Sequence, residues 1–169
     1  MTSRDEILDI LRKAYQIEVD GYTFYSMTAE KAAKPAVREL FEKLARDEME
    51  HQAYLKAVVK RYDREGSAAF RVQQRAPELR VFADKVFTDR FRSQAQGAAF
   101  EVGVLSVGMT LESNAIAHFT RAAEGADDRE VRGFYEFLAD WEREHLQALQ
   151  NLYNAVRQDF WQDAGFAPF

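Results

Sequence analysis

The chain has 169 residues, enough for one domain with a substantial core, and its 47% apolar and 30% charged composition is that of a water-facing globular chain. With no cysteine, disulfides, thiolate nucleophiles, cysteine-bound zinc and all-cysteine iron sites are excluded, and a net charge of −5 gives no general attraction for nucleic acid. No apolar run approaches the roughly 20 residues of a membrane span, and the start, MTSRDEILDI, carries no apolar signal region, so a cytoplasmic chain without membrane contact is expected.

Three prolines and eight glycines, set in long stretches of Ala, Glu, Leu, Arg, Lys and Gln, predict an all-α chain. The first helix is expected over Ser3–Ala32, with Ser3 as N-cap and Glu6 completing a capping box. Its buried stripe reads Leu8, Leu11, Tyr15, Glu18, Tyr22, Tyr25, Ala29, in steps of three or four. A turn at Lys34–Pro35 leads into a second helix reaching Tyr62, with the stripe Val37, Phe41, Leu44, Glu48, His51, Leu55, Val58, Tyr62. Residues 63–77 read as a linker and 78–91 as a shorter helix; the basic stretch Arg71–Arg92, diluted by Glu78, Asp84 and Asp89, reads as a solvated face. A third long helix is expected over Ser93–Glu124 through Leu105, Gly108, Glu112, Ile116 and Phe119. After the turn Gly125–Asp128 a fourth runs to Phe160 through Val131, Phe134, Leu138, Glu142, His145, Leu149, Leu152 and Val156. The aromatic tail, Trp161 to Phe169, is expected to dock on the bundle or on a partner chain.

Shifted by 94 residues, the sequence matches itself without a gap between 17–56 and 111–150. The identities include Glu18/Glu112, Val37/Val131, Arg38/Arg132, Leu44/Leu138, Glu48/Glu142, His51/His145 and Leu55/Leu149. The chain is therefore expected to be one domain of two similar helical hairpins: repeat one over about 5–62, a linker over 63–92, repeat two over about 93–160, and the tail 161–169. The linker is too long for a tight turn and suits a crossover from one end of a bundle to the other.

Each hairpin carries a Glu on its first helix and Glu-x-x-His on its second, and in each the two glutamates are 30 residues apart about a predicted turn. Residues equidistant from the turn of an antiparallel hairpin lie level, here about 22 Å above it. Glu and His at i and i+3 share a helix face. Glu18, Glu48, His51, Glu112, Glu142 and His145 thus converge at one height. Four carboxylates in a dry core repel one another and resist desolvation, which two divalent cations would relieve. Oxygen and nitrogen donors without sulfur suit iron or manganese, with zinc as a competitor.

These residues, Glu18, E48-M-E-H51, Glu112 and E142-R-E-H145, resemble those of the ferritin-like di-iron carboxylate proteins, most of all the rubrerythrin branch, over about residues 5 to 158. The resemblance implies a ferritin-like four-helix bundle in which Glu48 and Glu142 bridge two iron ions, Glu18 and Glu112 are terminal ligands, and His51 and His145 each bind one metal. It also implies an oxidoreductase acting on hydrogen peroxide or dioxygen. Two departures stand out. The cysteine-bound rubredoxin domain of full-length rubrerythrins is missing, so electrons must come from a separate donor protein. Ala115 stands where rubrerythrins tend to carry an extra glutamate one turn after the ligand.

The alternatives are a hydroxylase of an organic substrate on the same fold, and a non-enzymatic iron-binding or storage protein. A homodimer is the expected assembly. Gly21, Ala115, Ala14 and Gly108 are small positions where either close packing or a cavity for oxidant is expected. Tyr15, Tyr22 and Tyr25 read mainly as core, His118 as surface or interface, Glu101 as a helix-end or inter-chain contact, and Asp47 as a neighbour able to orient a ligand.

Overall fold

The computed structural model describes residues 4–71, 85–95, 99–163 and 165. Four long helices dominate: α1 (Arg4–Lys31), α2 (Pro35–Glu65), α4 (Ala99–Glu124) and α5 (Arg129–Asp163). A short 3-10 segment, η1 (Gly66–Phe70), follows α2, and the shorter α3 (Lys85–Ala95) precedes α4. The expected cap at Ser3 and most of the tail lie outside the described residues.

Pro35 opens α2, where a missing backbone N–H costs nothing. The duplication repeats its turn chemistry: Arg38 Nη2 donates to the Ala32 carbonyl at 2.9 Å, and Arg132 Nη2 to the Ala126 carbonyl at 2.8 Å. In repeat two, Asp128 caps α5, accepting from the backbone N–H of Glu130 and Val131.

Two corrections fall in the connection between the hairpins. The segment expected to be plain linker contains η1, whose Ala69 and Phe70 are buried; Phe70 packs on Tyr62 and Phe134. The short helix runs past its expected end at 91 and includes Ser93, being described as far as Ala95, and the third long helix is described from Ala99; residues 78–84 and 96–98 lie outside the described residues. Phe87 and Phe91 bury against the core, while Gln94 accepts from the Ala36 N–H and Arg90 pairs with Glu39. η1 therefore sits beside the start of α5 and α3 beside the start of α2, at opposite ends of the bundle. This is the crossover the linker length implied, and it makes α2 and α4 run parallel.

The core is two apolar layers. One, at the α1–α2 turn, holds Tyr25, Leu40, Phe41, Leu44, Phe91, Leu105, Leu149 and Leu152. The other, at the α4–α5 turn, holds Leu11, Leu55, Phe70, Phe119, Phe134 and Leu138. Each fully buried Leu or Phe contributes about 1.5–3 kcal/mol. Between the layers lies a belt of buried polar side chains.

Candidate metal centre

The polar belt contains all six side chains singled out above. Glu18, Glu48, His51, Glu112, Glu142 and His145 are each no more than 3% exposed. They form two overlapping groups whose facing atoms lie within 4.8 Å of one another: Glu18, Glu48, His51 and Glu142, and Glu48, Glu112, Glu142 and His145. Glu48 and Glu142 belong to both.

Both imidazoles point Nδ1 into the cluster. His51 Nδ1 lies 2.9 Å from Glu18, 3.4 Å from Glu48 and 3.6 Å from Glu142. His145 Nδ1 lies 3.3 Å from Glu48, 3.4 Å from Glu112 and 3.3 Å from Glu142. The two rings are nearly parallel, with centroids 5.2 Å apart.

The donor set fits a pair of cations. Glu18 Oε1, Glu142 Oε1 and His145 Nδ1 are buried without a hydrogen-bond partner, which in a protein interior requires an explanation. The electrostatics give the same reading. Burial pushes the Glu18 carboxyl up to about 8 despite His51, and raises Glu48 and, well above the usual range, Glu142. Glu112 is buried too, but His145 and the Tyr25 hydroxyl hold it below the usual value. His145 also pays for burial, yet its carboxylate neighbours, Glu112 foremost, raise it well above an ordinary histidine. A protein interior that must hold protons on its carboxyl groups to tolerate them is one that dications would neutralise instead.

A cavity of about 220 Å³ reaches the cluster between α1 and α4, lined by Ile17, Asp20, Gly21, Leu111, Asn114 and Ala115 as well as Glu48, Glu112 and Glu142. The shift of 94 residues pairs Ile17 with Leu111, Asp20 with Asn114 and Gly21 with Ala115, so the opening lies on the pseudo-twofold axis of the duplication. Gly21 and Ala115 thus serve access as well as packing, whereas Gly108 lies against Leu149 and Tyr25 and serves packing.

A family model for rubrerythrin matches residues 9–153. The chain belongs to the rubrerythrin family. Neither a comparison with curated proteins nor one with solved structures finds a match. Membership identifies the four-helix arrangement as ferritin-like, and among the described residues no helix is long and apolar enough to cross a membrane.

Around this rubrerythrin-family centre, four neighbours differ from or sharpen their sequence reading. Tyr25 is core, as expected, but its hydroxyl also donates to Glu112. Tyr15 donates to Gln52 Oε1 at 3.3 Å, and Gln52 Nε2 donates to the Glu18 carbonyl, away from the carboxylates. Glu101 takes the helix-end position expected of it, in the first turn of α4, and is buried there at 4% exposed. His118 is half-buried against Phe119, not fully at the surface. The stacking of Trp141 on His51 went unread, because a helical stripe does not show which residue of the opposite hairpin covers an imidazole.

Gly21 supplies a direct test of the close approach. A Cβ there would stand 3.0 Å from Glu48 Cδ, the far end of a flexible side chain. Gly21→Ala should keep or slightly raise the metal-free melting temperature, since Ala gains about 1 kcal/mol over Gly inside a helix. Metal affinity should fall on the order of tenfold as the Glu48 carboxylate is displaced. Unchanged affinity in a calorimetric titration would show that Glu48 is not held where the structure places it.

Proposed function

We propose that the six side chains hold two metal ions, iron in the working protein, and that the chain is an oxidoreductase reducing hydrogen peroxide or dioxygen with electrons from a separate donor protein. The observation that carries this reading is the sharing of Glu48 and Glu142 between two otherwise separate donor groups, which suits carboxylates bridging two ions. Glu18 and His51 then serve one ion, and Glu112 and His145 the other. Bound iron would supply the redox chemistry, passing between ferrous and ferric states. The protein's own groups do the rest. Four carboxylates offset the charge of two dications, and two neutral imidazoles add donors without further charge. Tyr25 holds one Glu112 oxygen, fixing that carboxylate against rotation. The apolar layers above and below exclude water, so reaction with solvent is limited to the axial opening.

The size of that opening supports the oxidant reading over a hydroxylase. At about 220 Å³ it admits a diatomic or peroxide molecule but falls short of the roughly 300 Å³ at which sites for larger organic ligands begin. Tyr22 and Met49, exposed together along the outer groove of α1 and α2, support a homodimer, and the acidic net charge supports a chain without nucleic-acid partners.

Anaerobic loading with ferrous iron, followed by one equivalent of peroxide, should produce ferric absorption within the mixing time, and a chemical reductant should restore the ferrous protein for repeated turnover. Iron that binds but reacts with neither peroxide nor dioxygen would leave only the binding or storage reading, which a sizing column tests further by separating a dimer from a cage.

A further inference from the structure

The two histidines of the centre are backed by different chemistry. With Nδ1 of His145 turned into the carboxylate cluster, its Nε2 faces outward, and Asp47 Oδ2 stands 3.9 Å away. Asp47 is 2% exposed; Lys43 Nζ binds its Oδ1, and its Oδ2 has no hydrogen-bond partner. A buried carboxylate with one oxygen anchored by an ammonium group and the other left facing a ring nitrogen is costly unless that nitrogen carries a proton.

The duplication shows that this arrangement belongs to one side only. The shift of 94 residues places Phe137 and Trp141 at the positions of Lys43 and Asp47. Those two rings contact each other at 4.7 Å, and Trp141 lies flat on His51, centroids 4.1 Å apart and planes within 5°. An ion pair on α2 therefore backs the histidine of repeat two, and an aromatic pair on α5 backs the histidine of repeat one. Both members of the pair differ together, which keeps each side internally consistent: an unpaired Lys or Asp against Phe or Trp would be a buried orphan charge.

We propose that Asp47, held by Lys43, is a positioning residue for His145 and makes the two metal positions inequivalent, the ion beside Glu112 and His145 being bound more tightly than the ion beside Glu18 and His51. The proposal rests on the two-metal reading above. A metal on Nδ1 leaves Nε2–H as the ring's one proton, and Asp47 Oδ2 is the acceptor that faces it. Accepting that proton fixes the tautomer that leaves Nδ1 free to donate, and the negative charge makes the imidazole a stronger donor. At 3.9 Å the two atoms stand at ion-pair rather than hydrogen-bond distance, so a small rotation of either side chain completes the bond. Trp141 fixes the plane of His51 by stacking and supplies no charge.

The test is a calorimetric titration of the full metal-free chain with cobalt(II), compared with Asp47→Asn, which keeps the shape and removes the charge. The wild-type protein should take up two ions in resolved steps. The variant should weaken the tighter step on the order of 10–100-fold and leave the weaker one unchanged. Loss from the weaker step, from both equally, or from neither overturns the proposal. A second measurement does not depend on the variant folding. In zinc-loaded wild-type protein with 15N-labelled histidine, the Nε2 proton of His145 should be shifted downfield and slow to exchange, and that of His51 should not; two rings that behave alike overturn it. Two indistinguishable uptake steps would remove the inequivalence alone, whereas no uptake would remove the two-metal reading itself.

Discussion

Glu48→Ala should release both metal ions, while Glu18→Ala should release principally one. Glu48 stands in both donor groups, with Oε2 3.4 Å from His51 Nδ1 and Oε1 3.3 Å from His145 Nδ1, whereas Glu18 stands in one. Removing a shared carboxylate deletes a donor from each position and one of the four negative charges that offset the cations. The expected stoichiometry by metal analysis is near zero ions per chain for Glu48→Ala and about one for Glu18→Ala, a contrast that a general loss of folding would not produce. Equal losses in the two variants, with both folded by circular dichroism, would mean that the carboxylates act as one undifferentiated acidic patch.

The metal-free protein should lose stability as pH rises from about 5 to 8, the reverse of ordinary acid denaturation. Glu18 is raised to about 8 by burial, and Glu48 and Glu142 are raised by the same cause, so the folded protein holds protons that the unfolded chain releases near pH 4.5. A raised group contributes stability that is complete below its unfolded value and is lost as pH passes through its folded value. His145, raised well above 6.5 against the cost of burial by Glu112 and its other carboxylate neighbours, adds to the same slope. Glu112, lowered, acts in the opposite sense and loses its contribution only as pH falls.

In the metal-loaded protein the cations hold these groups ionised, so the decline should vanish and affinity should rise with pH. Glu142→Gln separates the two states. An amide needs no proton, so the metal-free variant should melt above the metal-free wild type at pH 8. The expected gain is on the order of 1–4 kcal/mol, or about 2–4 °C for each kcal/mol in a chain of this size. The variant should in turn gain far less from added metal than wild type. A metal-free melting temperature that is flat or rising between pH 5 and 8 would contradict the electrostatic account of the belt.

Much of this molecule was legible in its sequence because the duplication supplied an internal comparison. The shift of 94 residues paired Glu18 with Glu112 and E48-M-E-H51 with E142-R-E-H145, and helix geometry made each set of three converge. Helix boundaries at the two turns were marked by local chemistry, Pro35 opening one helix and Asp128 capping another. A crossover carrying a short helix was legible in the sequence; the η1 segment and the contacts that seat α3 were not. η1 forms because Phe70 finds Tyr62 and Phe134 across the chain, and α3 is seated on α2 where Gln94 reaches Ala36. Such contacts between distant segments leave no periodic trace in either segment.

What the sequence determined by itself was therefore that the six polar side chains of the belt face inward and the height at which they do so, since both follow from 3.6 residues per turn and from the symmetry of two repeats, whereas Tyr22 of the same stripe is exposed. What only the tertiary structure decided was what each of those side chains touches. Tyr25 reaches Glu112 rather than Glu18, the carboxylates of Glu48 and Glu142 are shared, the opening runs along the axis between Gly21 and Ala115, and Asp47 backs one histidine while Trp141 backs the other. The physical reason is that a stripe defines the face of one helix, whereas a contact depends on the rotation and offset of two helices against each other. Those are set by how the apolar layers on either side of the belt pack together.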